Sequence, residues 1–333
     1  SFMQSINMSL RIIKAGIQDT VQDFGRYGYQ QAGINPSGAM DRYALQVANA
    51  LVGNDLHEAV LELHFPSSVI LFTRPLLIAI TGADFSPSIN GEPVPLNQCI
   101  VVNKNDALQF HRPVSGARAC LAVQGGFKLS PWLESQSTNL KAAAGGYEGR
   151  ALRKGDELIC RTEREYSKLL NGKNFRVLPW TADHQSGDNS KEILILPGNE
   201  WDRLPAASRE RFLGTPFLIT KLADRMGFHL GNEPMDILPG EELVSSAVTF
   251  GTVQLLPDGK LIILMADHQT TGGYPRVAHV ITAHHSKLAQ KRTGEALHFR
   301  ITDLMTAEQL LQKQQQHIKQ LQNACLFKLQ PYA

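Results

Sequence analysis

Cysteine is scarce in this 333-residue chain, and its scarcity excludes several kinds of site. Only four cysteines occur, and no two are close enough in sequence to form a C-x-x-C metal or redox pair. Three of the four lie in apolar, strand-like runs, so we expect buried, reduced residues that act as small hydrophobic side chains. The four residues are Cys99, Cys120, Cys160 and Cys325.

An excess of either charge is also missing. The 33 Lys and Arg residues nearly balance the 31 Asp and Glu residues, which gives a net charge of +2. Because nucleic acids and anionic membranes attract basic surfaces, we expect neither as a partner. No apolar run of membrane-spanning length occurs, and no secretory apolar region opens the sequence, so we predict a cytoplasmic protein.

Common catalytic and metal-binding motifs are absent from the sequence. There is no Walker loop (G-x-x-x-x-G-K-[ST]), no G-x-S-x-G, no H-E-x-x-H and no Ala-Met-Lys-Met biotinylation segment. His279, His284 and His285 are close in sequence but fit no metal-ligand spacing. We therefore predict no metal site and place these histidines on a solvated helix face.

Short runs of β-forming residues recur through the chain, separated by Gly, Pro and Asn. Few long amphipathic helices lie between them, so the pattern predicts a mainly β protein made of sandwiches or barrels. A polar, turn-rich stretch between residues 173 and 190 predicts a domain boundary. The predicted strands are 10–14, 60–63, 69–72, 77–81, 100–103, 107–110, 119–123, 157–160, 193–196, 217–220, 252–255, 261–265 and 296–301.

Two helices are predicted. The first begins at Ser37 as N-cap, carries an apolar face that includes Met40, and ends at Gly53. The second covers about 307–323 with Thr306 as cap. Its apolar stripe is thin, which indicates a surface helix that packs on its own domain or docks a partner.

The stretch from Asp267 to Pro275 is the strongest candidate for a functional site. It follows an apolar run that predicts a buried strand, so its polar side chains emerge at a strand end, where loops often carry chemistry. Gly272 and Gly273 can adopt positive φ and let a ligand approach the backbone. Asp267 and His268 suit general acid–base catalysis or transition-state hydrogen bonding. The alternative is a tight turn with local hydrogen bonds.

A glycine-rich segment near the start of the chain, at residues 20–29 and 35–41, is a candidate anion site. Its glycines would let backbone amides converge on an anion beside the first helix, and Arg26 adds a planar, two-pronged donor. A carboxylate ligand fits this pattern. An ion pair between Asp23 and Arg26 that fixes an irregular loop explains it equally well.

Two further segments carry candidate residues. Hydroxyl groups around Ser137 precede the glycine-rich stretch 145–150, but the spacing of a phosphate loop is absent, so we predict no nucleotide site there. Arg225 follows the predicted strand 217–220. It suits binding of a carboxylate or carbonyl oxygen, or a surface pair with Asp224.

Together these motifs resemble the subunit 2 type of biotin-dependent carboxyltransferase and allophanate hydrolase-like proteins. The resemblance implies two cyclophilin-like β-barrel domains, at 9–180 and 190–303, with a few short helices and a C-terminal helix at 304–326. The matching elements, in family order, are Val21-Gln22-Asp23-Phe24-Gly25-Arg26, Ser37-Gly38-Ala39-Met40-Asp41, Ala48-Asn49, Leu51-Val52-Gly53-Asn54, Thr81-Gly82-Ala83, Gly146 to Arg150, Asp224-Arg225-Met226-Gly227 and Asp267 to Pro275.

The resemblance also implies the site residues. The catalytic candidates are Asp267, His268, Thr271 and Tyr274. The substrate-binding candidates are Arg26, Ser37, Asp41, Ser137 and Arg225, to which the glycine pair itself adds Gly272 and Gly273. The chain departs from the family where Gln136 and His229 stand at positions that usually hold Arg, which weakens the case for an anion gripped there. His284-His285 replaces an expected Asp-Leu pair, and this change bears on the partner surface.

The activity that the resemblance favours is ATP-dependent 5-oxoprolinase, which opens the lactam of 5-oxoproline to glutamate. We expect a companion subunit of the KipI or allophanate hydrolase subunit 1 type, and a third subunit that handles ATP with magnesium. This chain alone is expected to bind no cofactor and to be inactive. Biotin enters only under the alternative, carboxyl transfer in a urea carboxylase-like system. A KipI-antagonist regulatory protein is the third possibility.

Overall fold

The computed structural model describes residues 8–172, 174–183, 192–240 and 243–332. The described chain is built mainly of strands with a few helices, as predicted, and every predicted strand overlaps an observed one. The described residues form two compact units. Unit 1 takes residues up to 25, 41–184 and 317 onward, and unit 2 takes 26–40 and 185–316.

Unit 1 consists of two antiparallel sheets around one core. The sheets have the strand orders β11-β1-β4-β9-β6-β7 and β12-β8-β5-β10-β3-β2, and apolar side chains of both sheets form a common buried cluster. The strands are β1 (Leu10–Lys14), β2 (Thr20–Gln22), β3 (Val60–Leu63), β4 (Val69–Phe72), β5 (Leu76–Asp84), β6 (Pro87–Ile89), β7 (Glu92–Pro93), β8 (Gln98–Val102), β9 (Ala107–Phe110), β10 (Ser115–Val123), β11 (Glu157–Leu158) and β12 (Arg176–Thr181).

The main helix of unit 1, α1 (Arg42–Val52), begins later than the sequence predicts. Asp41 is its N-cap, because its carboxylate accepts the N–H of Ala44 at 2.9 Å. Ser37 is therefore not the cap, and its φ of 54° places it in a left-handed loop. Gly53 ends the helix with a φ of 73°, as predicted. A short helix, α2 (Ser167–Leu170), lies near the end of the unit.

Unit 2 is a single eight-stranded sheet in the order β21-β14-β15-β18-β17-β20-β13-β22. A two-stranded sheet of β16 and β19 accompanies it. The strands are β13 (Ile193–Pro197), β14 (Phe217–Ile219), β15 (Gly227–Gly231), β16 (Ser246–Ala247), β17 (Thr252–Leu255), β18 (Leu261–Leu264), β19 (Thr271–Gly272), β20 (Arg276–Val280), β21 (Ala296–Leu297) and β22 (Phe299–Ile301). The short helices are α3 (Ala206–Gly214) and α4 (His285–Ala289).

One short segment, residues 296–301, joins the two ends of this sheet. Leu297 pairs with Phe217 of β14, and Phe299 pairs with Ile193 of β13. Since β21 and β22 follow each other along the chain, the sheet is nearly closed into a barrel. Phe299 lies 5.0 Å from the ring of Phe212 and 5.4 Å from that of Phe217, so an aromatic cluster fills the closing seam.

The C-terminal helix, α5 (Leu304–Leu329), is longer at both ends than the range 307–323 drawn from its apolar stripe, and it begins at 304, where the resemblance places it. Its first turn is capped by Asp303, whose carboxylate accepts the N–H and the hydroxyl of Thr306. Thr306, the predicted cap, is thus inside the helix. Among the described helices, none is long and apolar enough to cross a membrane.

The predicted domain boundary and the predicted state of the cysteines can be compared with this fold. Residues 173 and 184–190 of the predicted boundary lie outside the described residues, and the described stretch 174–183 contains β12 of unit 1. The four cysteines are buried and form no disulfide, as expected. The remaining short helices are the 3-10 turns Gln30–Ala32, Trp201–Arg203, Thr282–His284 and Gln330–Tyr332.

Replacing the cap of α1 tests this account of the helix start. Asp41→Ala should lower the free energy of unfolding by about 1 kcal/mol, because the Ala44 N–H loses its acceptor. Asp41→Asn should cost less, since a carboxamide oxygen also caps helices. Urea unfolding followed by circular dichroism measures both. Glu92→Ala, which removes an exposed carboxylate of the same unit, is the control. An unchanged stability of Asp41→Ala would contradict the capping role.

Candidate functional site

The candidate site in unit 2 lies at the end of a strand pair. Strands β15 and β18 are antiparallel, with Gly227 opposite Leu264. The pairing continues beyond the strands, where the Asp267 N–H donates to the Arg225 carbonyl at 2.8 Å. The apolar run of β18 is buried inside the barrel, so the chain becomes polar where it leaves the core. This arrangement sets Arg225 and Asp267 side by side.

The side chains of these two residues form a buried ion pair. Arg225 Nε lies 2.8 Å from Asp267 Oδ2, and Nη2 lies 3.1 Å from Oδ1. The residues are 4% and 8% exposed, so the two charge-assisted hydrogen bonds are shielded from water. Of the two alternatives for Arg225, contact with a carboxylate and a carbonyl oxygen is therefore observed, and both acceptors belong to this chain. The Asp224 carboxylate instead accepts the N–H groups of Met226 and Gly227.

A distant stretch of sequence is held against this ion pair within unit 2. Arg225 Nη2 also donates to the Gly38 carbonyl at 2.6 Å. From the same stretch, Asn35 Nδ2 donates to the Asp267 carbonyl at 2.9 Å. Two separately predicted segments therefore meet at one place. They are the unit 2 part of the candidate anion site, at 26–40 and called the loop below, and the stretch Asp267 to Pro275, called the glycine motif.

The loop itself carries two of the predicted substrate-binding residues. Arg26 is 1% exposed, and its N–H donates to the Pro36 carbonyl at 2.7 Å. Ser37 is fully buried with a φ of 54°, a conformation that serine adopts only at an energetic cost. Such strain is found most often at binding and catalytic sites. Gly38 follows with a φ of 96°, where glycine is required.

His268 is buried beside Asp267. Its Nδ1 lies 2.6 Å from the Gln269 carbonyl, and because a carbonyl only accepts, Nδ1 carries a proton. In the neutral ring Nε2 is then the basic nitrogen. The backbone N–H of His268 donates to the Met265 carbonyl, and this hydrogen bond fixes the turn after β18. The residue is 4% exposed.

The glycine pair of the motif, Gly272 and Gly273, differs in conformation from the expectation. Neither Gly272 nor Gly273 has a positive φ. Gly272 packs closely on the end of the Gln254 side chain, because an added Cβ would lie 2.5 Å from Gln254 Nε2 and would displace it. At Gly273 an added Cβ would lie 3.2 Å from Ser245 Oγ, a tight contact with a side chain. The positive φ considered for these glycines is not observed, and their role in substrate binding stays a prediction.

Thr271 and Tyr274 differ from the buried part of the motif because both are exposed. Thr271 pairs with Ala247 across the small sheet. Tyr274 is 42% exposed and lines a pocket of about 150 Å³ with mainly apolar residues such as Met235 and Leu255. Their catalytic roles stay predictions.

The remaining two predicted residues, Asp41 and Ser137, belong to unit 1. Asp41 caps α1, as described above. The Ser137 hydroxyl donates to the Asp23 carboxylate and accepts the Asp23 N–H at 3.0 Å. The same carboxylate accepts the hydroxyl of Ser135 and the N–H of Gln136. Both predicted residues thus have structural partners within unit 1, and their role in substrate binding stays a prediction.

Sequence reasoning missed the group that anchors the glycine motif. Glu200 accepts the backbone N–H of Arg276 at 2.7 Å and pairs with its guanidinium at 3.1 Å. Arg276 Nη1 reaches the hydroxyl of Ser246 at 2.7 Å, on the strand that pairs with β19. No local sequence pattern indicates this network, because Glu200 lies far from Arg276 in sequence.

The three clustered histidines are not on a solvated helix face. His284 is 1% exposed, and its Nδ1 accepts the Leu194 N–H at 2.9 Å. His279 lies on β20, where burial and the nearby Arg276 lower its pKa while Glu200 opposes the shift. His285 is partly buried against the ring of Phe250 at 4.3 Å. In the described parts of the chain, no group of three or more acidic, His or Cys side chains has the geometry of a metal site.

Comparison with known proteins adds a family to this geometry. Residues 32–301 match the family model described as the carboxyltransferase domain, subdomain A and B. The chain belongs to this family. The resemblance drawn from its sequence motifs is thus confirmed, and the carboxyltransferase domain contains the buried Arg225–Asp267 pair and the glycine motif.

Relatives of this carboxyltransferase domain fall into two groups. It is 36% identical to the 5-oxoprolinase C subunit of Escherichia coli over 313 residues, which cover 94% of this chain and 97% of that protein. It is 30% identical to urea amidolyase of Lachancea kluyveri over 335 residues, which cover 96% of this chain and 18% of that protein. The crystal structure of the K. lactis urea amidolyase superposes with a TM-score of 0.83 at 25% identity, covering 94% of this chain and 20% of that chain.

Breaking the buried pair should weaken the fold. Asp267→Asn leaves the buried Arg225 guanidinium without its counter-charge, so we expect the free energy of unfolding to fall by about 3 kcal/mol. The Arg225→Met/Asp267→Leu double variant removes both charges and should recover part of that loss. Urea unfolding of the three proteins measures this. Equal stability of wild type and Asp267→Asn would contradict the pairing.

His279 should make stability depend on pH. Because its pKa in the folded protein lies below the ordinary 6.5, the unfolded chain binds the proton more readily. Its contribution is fully present above pH 6.5 and is lost as pH falls through that value. Relative to His279→Gln, wild type should therefore lose stability in urea unfolding as the pH is lowered from about 7.5 through 6.5 toward the lower pKa of the folded state. A constant difference between the two proteins would contradict the lowered pKa.

Proposed function

We propose that this chain is a subunit of an ATP-dependent 5-oxoprolinase, which opens 5-oxoproline to glutamate together with companion subunits. The observation that carries the proposal is the end-to-end match to the C subunits of 5-oxoprolinases. Besides the Escherichia coli relative, the Haemophilus influenzae one is 33% identical and is covered over 94% of its length. The urea amidolyase relatives are far longer, and this chain spans 18% of them.

The bond to be broken is an unstrained amide. Water adds to the lactam carbon, the C–N bond breaks, and the nitrogen takes a proton to become the amine of glutamate. We propose that His268 takes the proton of the attacking water on Nε2, because Nδ1 is committed to the Gln269 carbonyl. The Asp267 carboxylate is paired with Arg225, and this pair fixes the backbone from which His268 extends.

Arg225 acts in this proposal as a positioning residue. Its Nε and Nη2 already bind Asp267, and Nη2 also binds Gly38. A substrate carboxylate would therefore have to compete with Asp267 for the same donors. The buried Arg26 of the loop is the second cation of unit 2 for which the resemblance implies substrate binding.

ATP and magnesium are assigned to the companion subunits. Transfer of a phosphoryl group from ATP to the lactam oxygen would leave ADP and make the carbon electrophilic. Addition of water and cleavage of the C–N bond would then give an acyl phosphate, from which a second water releases phosphate to leave glutamate. The sequence of this chain has no Walker loop. We therefore propose a partner of the KipI or allophanate hydrolase subunit 1 type, a third ATP-handling subunit, and an isolated chain without activity.

Carboxyl transfer to a urea-like acceptor is the second candidate. The family match and the structural likeness to urea amidolyase favour it. In that reaction the same base would take a proton from the acceptor nitrogen. Biotin would have to arrive on another protein, because this chain has no biotinylation segment. A regulatory protein of the KipI-antagonist type would bind its partner without turnover.

The test is reconstitution of the complex followed by turnover. The chain co-expressed with the subunits of neighbouring genes should form glutamate from 5-oxoproline and ATP. His268→Gln should lower kcat at least about 100-fold with little change in KM, since the variant lacks the base. His298→Gln, which changes an exposed histidine of the same unit, is the matched control.

Three outcomes separate the candidates. Turnover that requires this chain and His268 supports the 5-oxoprolinase proposal. A well-formed complex without glutamate formation contradicts it, and carboxylation of urea by the complex with a biotinylated carrier would then favour carboxyl transfer. Full activity of His268→Gln would overturn only the assignment of His268 as the base and would leave the proposed activity standing.

A further inference from the structure

Gln254 is a buried side chain that the fold does not use. It lies on β17, is 1% exposed, and its Nε2 has no hydrogen-bond partner among the described residues. Buried amides are almost always paired, because an unpaired one loses its hydration without compensation. An unpaired carboxamide nitrogen beside the β-bulge between β17 and β20 therefore needs an explanation.

The strand pattern shows which side of the barrel Gln254 occupies. Its neighbours Val253 and Leu255 belong to the buried core of unit 2. Since side chains alternate along a strand, Gln254 points to the outer surface of the barrel. There it is covered by Gly272 of the candidate site, so closely that a Cβ at that position would lie 2.5 Å from Nε2. The glycine motif is thus shaped to close directly over this amide.

The element that covers Gln254 is the small sheet that contains Gly272, and it has few stabilising contacts of its own. Strands β16 and β19 form a two-stranded sheet in which Ser246 pairs with Gly272 and Ala247 with Thr271. Ala247 and Thr271 are exposed. A sheet of two short strands is marginally stable and opens more easily than the barrel beneath it. Opening it would expose the carboxamide of Gln254 to a small molecule.

A primary carboxamide offers a donor and an acceptor side by side. A lactam is a cis amide and presents its own N–H and C=O on one edge, so the two groups fit through a pair of hydrogen bonds. We propose that Gln254 is the residue that recognises the cis-amide edge of the substrate. The fit is the same for either orientation of the Gln254 amide, because both of its atoms pair. This inference rests on the proposed function and deepens it.

The recognition favours substrate over product. Opening the ring turns the lactam into the free amine and carboxylate of glutamate, which no longer present the paired edge. Rejection of a ligand that lacks one hydrogen-bonding partner is the strongest form of selectivity available to an uncharged site. Gln254 therefore acts as a specificity-determining residue, distinct from the base His268.

Gln254→Leu is the first test, and stability and activity should move in opposite directions. Removing an unpaired buried amide should raise the Tm of the protein by about 2 °C. In the reconstituted complex kcat/KM for 5-oxoproline should fall at least about tenfold. Gln309→Leu, which changes an exposed glutamine of α5, is the matched control and should alter neither value. A lower Tm of Gln254→Leu would show a structural partner and overturn the proposal.

The second test reads binding without turnover. The lactone analogue of 5-oxoproline has a ring oxygen in place of the N–H and is otherwise nearly the same shape. In calorimetric titration of the complex without ATP, wild type should bind the lactam at least about tenfold more tightly than the lactone. Gln254→Leu should lose that preference. Equal discrimination by both proteins would overturn the proposal.

The two tests also separate this inference from the proposed function. Glutamate formation with no effect of Gln254→Leu leaves the activity standing and removes the recognition residue. Lactam binding that depends on Gln254 without glutamate formation supports the recognition residue and removes the activity. Absence of both lactam binding and turnover overturns both.

Discussion

The buried ion pair between Arg225 and Asp267 is the interaction on which the candidate site depends. It lies where two barrel strands end, and its two hydrogen bonds are shielded from solvent. Through Arg225 it also holds Gly38, and through the Asp267 carbonyl it holds Asn35. One pair of opposite charges thus joins stretches of chain that are far apart in sequence. An uncompensated charge at this depth would be costly, so the site forms as a unit.

On the outer surface of the barrel, in contrast, one buried polar group has its partners and another has none among the described residues. Glu200 and Arg276 satisfy each other and fix the chain after the glycine motif. The amide nitrogen of Gln254 has no partner among the described residues and lies beneath Gly272. Native proteins break the rule of paired buried groups mainly where function requires it. The fold tolerates this cost because the nearly closed barrel supplies ample apolar burial.

Sequence pattern is sufficient for the strands and for the family, and insufficient for the contacts of the site. Apolar runs between turn residues locate the barrel strands because burial is a local requirement of each strand. The predicted start of α1 at Ser37 is wrong, since serine and aspartate both cap helices and only the backbone conformation decides between them. The solvent position predicted for His284 is wrong because its partner, the Leu194 N–H, lies far away in sequence.

The glycine motif illustrates the same limit. Its residues can be identified as a candidate site because polar groups follow a buried strand. The reason for Gly272, close packing against Gln254, cannot be found from local sequence, because it depends on the approach of a different strand. The pairing of Arg225 with Asp267 escapes prediction for the same reason, since a salt bridge with the adjacent Asp224 is the simplest local expectation.

A double-mutant cycle on the buried pair tests this account most directly. Wild type, Arg225→Gln, Asp267→Asn and the double variant are compared in urea unfolding and in kcat of the reconstituted complex. The account predicts a coupling free energy of at least about 1 kcal/mol in stability, with the double variant no less active than either single one. Additive effects in both measurements would show that the pair does not organise the site.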